Sequence, residues 1–160
     1  MSLTVESVTA QEEACLLTSF DSNVAWEIGN IIRTNLQKFT RPAVVYVAHA
    51  NTSQLLFFAT SGPGTQPDNM HWVKRKEAVV LRWSCSTMRM RLGLLDKGRT
   101  LQEAFEMSDP SIYAVHGGGF PVKVKGVEGV VGVIVVSGLT QEDDHAVIVD
   151  GIKEYLARNP

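Results

Sequence analysis

The chain has 160 residues, 44% of them hydrophobic and 20% charged, with a formal net charge of −2. That size and balance fit one domain, residues 1–160, around one hydrophobic core, and exclude disordered or collagen-like classes. No apolar run approaches the roughly 20 residues a membrane span needs, and the near-zero charge gives no global pull toward nucleic acid.

Glu6, Glu12 and Glu13 precede the first basic residue, Arg33. A secretory leader begins with basic residues before an apolar stretch, so the expected location is cytoplasmic. Cys15 and Cys85 form no C-x-x-C pair and are expected to be buried thiols in a reducing compartment. Thr9 and Glu12 have capping-box spacing, which predicts a short helix from Ala10 to about Thr18, an N-terminal helical extension. Asp21 or Ser22 opens a second helix. Val24, Ile28, Ile31, Ile32, Leu36 and Phe39 mark its buried stripe, and Arg41-Pro42 ends it. Residues 43–48 and 55–59 predict an antiparallel hairpin, and residues 61–67 a loop.

Asp68 or Asn69 opens a long helix with Trp72, Val73, Val79, Val80 and Trp83 inward, and with His71, Arg75, Ala78 and Arg82 on a second face. Residues 84–95 are ambiguous. Thr100 and Glu103 cap a short helix that Asp109-Pro110 stops, and a strand near Tyr113 is an open alternative. The alternation from Phe120 to Lys125 predicts a strand, and Val130 to Ser137 a central one. Thr140 caps a last helix with Ala146, Val149, Ile152 and Leu156 inward. Hairpins separated by helices point to an α+β fold, an antiparallel sheet with packed helices.

His116-Gly117-Gly118-Gly119 must be a turn or a close approach, because so many glycines weaken any regular element. Its expected use is to present bare backbone N–H groups to a small anion, with His116 and Phe120 flanking them. An esterase oxyanion turn is excluded because no G-x-S-x-G elbow exists. Ser137 and Gly138, before the cap of the last helix, would add donors at a helix N-terminus. His71, Arg75 and His145 would supply charge or coordination. No recognised metal spacing, P-loop or dinucleotide fingerprint is present, so no metal is assigned. The C-x-x-C-H haem attachment motif is absent, whereas a non-covalent haem or corrinoid needs only a histidine and a few basic residues. The basic segment Lys74, Arg75, Lys76, Arg82, Arg89 and Arg91 lacks the interleaved aromatics of a single-strand binder, so it reads as a solvated helix face or an anionic-ligand rim.

Together, residues 116–122, the run from Gly129 into Ser137-Gly138-Leu139, and Glu142-Asp143-Asp144-His145-Ala146 resemble the haem-degrading domain superfamily. That group holds GlcG-like proteins, HbpS-like haem binders and the C-terminal domain of PduO-type corrinoid adenosyltransferases. Asn69 to Lys76 resembles its uncharacterised UPF branch. The resemblance implies a profilin-like α-β-α fold with a five-stranded antiparallel sheet, self-association into dimers or larger rings, and haem-, corrinoid- or organic-acid-like ligands. The leading expectation is a homo-oligomeric binding module for a small anionic molecule. Its site would lie between subunits, with Trp72, Trp83 and Phe120 as interface groups. A haem-degrading or redox enzyme acting through His116 or His145, and an adaptor without a ligand, are the alternatives.

Overall fold

The computed structural model describes residues 2–160. Strands β1 (Val44–His49), β2 (Leu55–Thr60), β3 (Gly119–Val122) and β4 (Gly132–Ser137) form one antiparallel sheet in the order β2-β1-β4-β3. The central strands β1 and β4 read as unbroken apolar runs because both their faces are covered. Val45 and Val47 lie opposite Val136 and Ile134 and pack under helices α2 (Ser22–Leu36) and α6 (Gln141–Arg158). Val44, Tyr46, Ala48, Val133 and Val135 point the other way, under Val73 and Val80 of helix α3 (Pro67–Trp83). The result is an α-β-α arrangement completed by α1 (Val5–Ala14), α4 (Thr87–Lys97) and α5 (Leu101–Phe105).

Among the described residues the sheet has four strands, not the five that the resemblance implied. Beside β3, Leu17 makes only an isolated parallel bridge to Val124: Leu17 N–H donates to the Lys123 carbonyl, and Lys125 N–H to the Leu17 carbonyl, both at 2.9 Å. The β3 edge explains why pairing stops there. Val136 N–H donates to the Gly118 carbonyl, so strand alternation turns the amide positions of Gly119 and Pro121 outward. Pro121 has no N–H to offer a further strand, and that of Gly119 is taken by the Thr87 hydroxyl at 2.9 Å.

Several element boundaries differ from expectation. α1 starts at the reciprocal Thr4–Ser7 cap rather than at Thr9, whose hydroxyl instead donates to the Val5 carbonyl at 2.7 Å. α2 ends at Leu36 and leaves Phe39 exposed. α3 opens at Pro67, where a proline's missing N–H costs nothing. The ambiguous stretch resolves into α4, separated from α3 by Ser84 in the left-handed region (φ 56°) and capped by Ser86. Tyr113 lies in a turn rather than a strand, its N–H donating to the Pro110 carbonyl. β3 stops at Val122, short of Lys125, and β4 begins at Gly132. Ala146 is exposed, while Val147, Ile148, Val149 and Ile152 face inward. Cys15 and Cys85 are buried free thiols, and burial pushes each up to about 11.

Candidate ligand-binding cleft

α3 and α6 both begin near Ser137, the last residue of β4, and their N-termini flank a cleft of about 410 Å³. Each helix start leaves N–H groups without intrahelical partners and carries partial positive charge. Asn69, in the first turn of α3, donates to the Ser137 carbonyl at 3.4 Å and ties that helix to the strand end.

The floor is a buried ion pair. Lys76 falls on the apolar stripe of α3 between Val73 and Val80, so its side chain is driven inward and is only 3% exposed. Its Nζ donates to the Val136 carbonyl at 3.0 Å and to Asp144 Oδ2 at 3.1 Å. Asp144 stands in the first turn of α6, and its Oδ1 accepts the Leu139 N–H at 3.0 Å. Burial pulls the Lys76 ammonium below its ordinary value, with the Asp144 charge resisting. Burial likewise raises Asp144, opposed by Lys76 and the Leu139 N–H. An ammonium has three N–H donors, and two are occupied.

His116 forms one wall, edge-to-face with Trp72 at 5.0 Å between ring centroids. Partial burial lowers its pKa first, and the cations Arg91, Lys76 and Arg75 lower it further. The guanidinium of Arg75 lies 4.7 Å from the Trp72 ring and donates to the carbonyls of Ser111 (2.9 Å) and Tyr113 (3.2 Å). It thereby straps the segment before His116 to α3. Arg41, Asp68 and Gln141 complete the rim.

Of the residues expected at the site, His116, Ser137 and Gly138 line this cleft. The glycine turn sits beneath it with a different role. The Gly117 N–H donates to Gln141 Oε1 at 3.2 Å and that of Gly119 to Thr87, so the expected row of bare donors is not presented. The glycines instead permit close approach. A Cβ on Gly118 (φ +123°) would stand 2.5 Å from the Val136 carbonyl oxygen and 2.7 Å from Lys76 Nζ. Phe120 is a core residue at 1% exposure and cannot serve an interface. Trp83 is tied within the chain to Phe105 and Tyr113. His71 is exposed on α3 outside the cleft, and Arg75 stands behind Trp72. His145 is buried elsewhere, 2.7 Å from Gln11 Oε1 of α1, and burial lowers it to about 4. The basic segment is largely consumed internally: Lys74 by Glu77, Arg82 by Tyr113 and Arg89 by Glu12.

Sequence reasoning missed Lys76 and Asp144 as a pair. The legible signal was a lysine at the inward spacing of Val73 and Val80, facing an aspartate in a distant helix's first turn.

Comparison with known proteins places this architecture. The chain matches the family described as haem degrading protein HbpS-like over residues 20–153, and it belongs to that family. It is 37% identical over 155 residues to a UPF0303 protein of Streptomyces avermitilis, covering 97% of this chain and 92% of that protein. Among solved structures, that of the Ybr137w protein superposes with a TM-score of 0.88 at 26% identity, covering 96% of this chain and 88% of the other. A PduOC:heme complex shares the fold at 16% identity and a TM-score of 0.65, covering 86% and 94%.

Proposed function

We propose that this member of the HbpS-like family is a binding module for a small organic acid, held in the cleft between the N-termini of α3 and α6. The observation that carries the reading is the buried Lys76, with one N–H still free, on the floor where two helix starts converge. Arg41 at the rim and the cations around His116 add positive potential, and Gln141, whose Nε2 has no partner among the described residues, offers a directional polar contact.

A haem, suggested by the family description and by the haem-bound PduOC relative, does not fit these residues. A macrocycle needs an apolar slot with an axial ligand above it. Here the floor is a Lys–Asp pair, and His116 is the one imidazole on the lining, its ring held edge-on by Trp72. The buried Lys–Asp floor supports a small organic acid over a macrocycle.

Self-association accompanies this reading. β2 is an open edge, and the bond from Ser61 N–H to the Ala43 carbonyl turns the backbone groups of Phe58 and Thr60 outward. Arg33 covers the Thr60 carbonyl at 2.9 Å, while Phe58 stays open beside exposed Leu55 and Trp26. Trp26→Glu with Phe58→Glu is expected to lower the mass seen by sedimentation; an unchanged mass contradicts this interface.

The ligand reading is tested by thermal shift with pyruvate, oxalate, inorganic phosphate and haemin. Stabilisation rises with free ligand by mass action, so a small acid is expected to raise Tm in a saturable way. A shift with haemin alone, lost in His116→Ala, would contradict the proposal.

A further inference from the structure

Lys76 and Asp144 do more than anchor an anion. Building on the cleft reading above, we infer that Lys76 is a nucleophile that captures a small 2-oxo acid as a reversible imine, with Asp144 as its proton carrier. A lysine on the apolar stripe of a helix normally snorkels to water. This one is held inward by the Val136 carbonyl and by Asp144, at the bottom of an open cleft. Gly118 has no side chain where one would strike the ammonium, so the turn beneath the cleft is shaped around the lysine head.

Imine-forming lysines need a free amine in a desolvated site with an acid beside it. Burial favours that state from both sides, because it lowers Lys76 and raises Asp144, which moves the shared proton toward the carboxylate. The α3 and α6 N-termini and Arg41 then hold the carboxylate of the 2-oxo acid, leaving its carbonyl carbon to the free position on Nζ.

The step balances without an oxidant or reductant. Asp144 takes a proton from the ammonium, and the amine lone pair forms a C–N bond to the carbonyl carbon. The carbonyl electron pair moves to oxygen, which receives the proton from Asp144. The resulting hydroxyl takes the second proton that nitrogen gives up through Asp144 and leaves as water. What remains is a protonated imine with the Asp144 carboxylate as its counter-ion.

The test uses the whole protein with pyruvate and sodium cyanoborohydride, read by intact mass and peptide mapping. The expected result is one carboxyethyl group on Lys76, formed at least tenfold faster than on the exposed Lys38 and Lys97. Lactate, which lacks the carbonyl, should slow the labelling by competition, and Lys76→Arg should abolish it. Labelling at Lys76 no faster than at Lys38 and Lys97 overturns the imine. Saturable stabilisation by pyruvate and oxalate without Lys76 labelling would leave the organic-acid reading standing and remove only the covalent step.

Discussion

Two buried carboxylates sit at helix starts in this molecule, and they are finished differently. Glu12 of α1 reaches the N-terminus of α4, where Oε2 accepts both the N–H and the hydroxyl of Ser86 and Oε1 pairs with Arg89 at 3.3 Å. Neighbouring Gln11 holds His145 and so ties α1 to α6 beside that contact. Asp144 has equally short contacts, but its partner Lys76 keeps a free donor and faces a cleft. The first carboxylate completes a packing contact. The second supports a lysine that is left available, and this difference is what the proposed ligand site rests on.

The comparison can be broken most forcefully at the ion pair. Lys76→Met should cost about 3–5 kcal/mol, because it strands Asp144 as an uncompensated buried charge. Adding Asp144→Leu should restore most of that loss in denaturant titrations, whereas a double variant as unstable as the single would contradict the account.

The α1 side is probed by pH. His145 is lowered to about 4 from an ordinary 6.5, so the unfolded state binds the proton first as pH falls. Its stability contribution is complete above about pH 6.5 and is lost progressively toward pH 4, roughly 3 kcal/mol in all. His116, also lowered, adds in the same direction. His145→Gln should flatten the pH dependence of unfolding across that window, and an unaltered slope would show that the buried ring is not its source.

Glu12→Ala should cost about 1.5–3 kcal/mol by leaving the Ser86 N–H unanswered, yet should leave ligand-induced thermal shifts unchanged. That contrast sharpens the division between the two carboxylates. Gly118→Ala is expected to cost about 1–3 kcal/mol from its positive φ and to weaken ligand binding by displacing the Lys76 head. Equal binding by the variant would separate the turn from the cleft.

Much of the fold was legible because its signals are local. The runs at 43–48 and 55–59, the Asp21, Thr100 and Thr140 caps, and the stripe of α2 all follow from spacing. The four strands were each read from their own residues, and a fifth was implied by the resemblance; the β3 edge is closed by Pro121 and by Thr87, a residue far away in sequence. Of the candidate residues, His116, Ser137 and Gly138 come together on the cleft; they were picked out because histidine, glycines and a helix cap stand out in a sequence. The glycine donors were misread because their partners, Gln141 and Thr87, come from other elements. Lys76 was read only as part of a basic face or rim, because lysine reads as a solvated residue until its helix is docked on the sheet, and Asp144 was passed over as its partner because an acidic first turn already explains itself electrostatically.

The most direct test of the cleft is a titration of the 15N–1H correlation spectrum with pyruvate. Saturable shifts are expected at amides 66, 68, 69, 116, 117 and 137–141, with residues 5–14 of α1 unmoved. Shifts scattered over the surface, or none at the starts of α3 and α6, would contradict the assignment of this cleft as the ligand site.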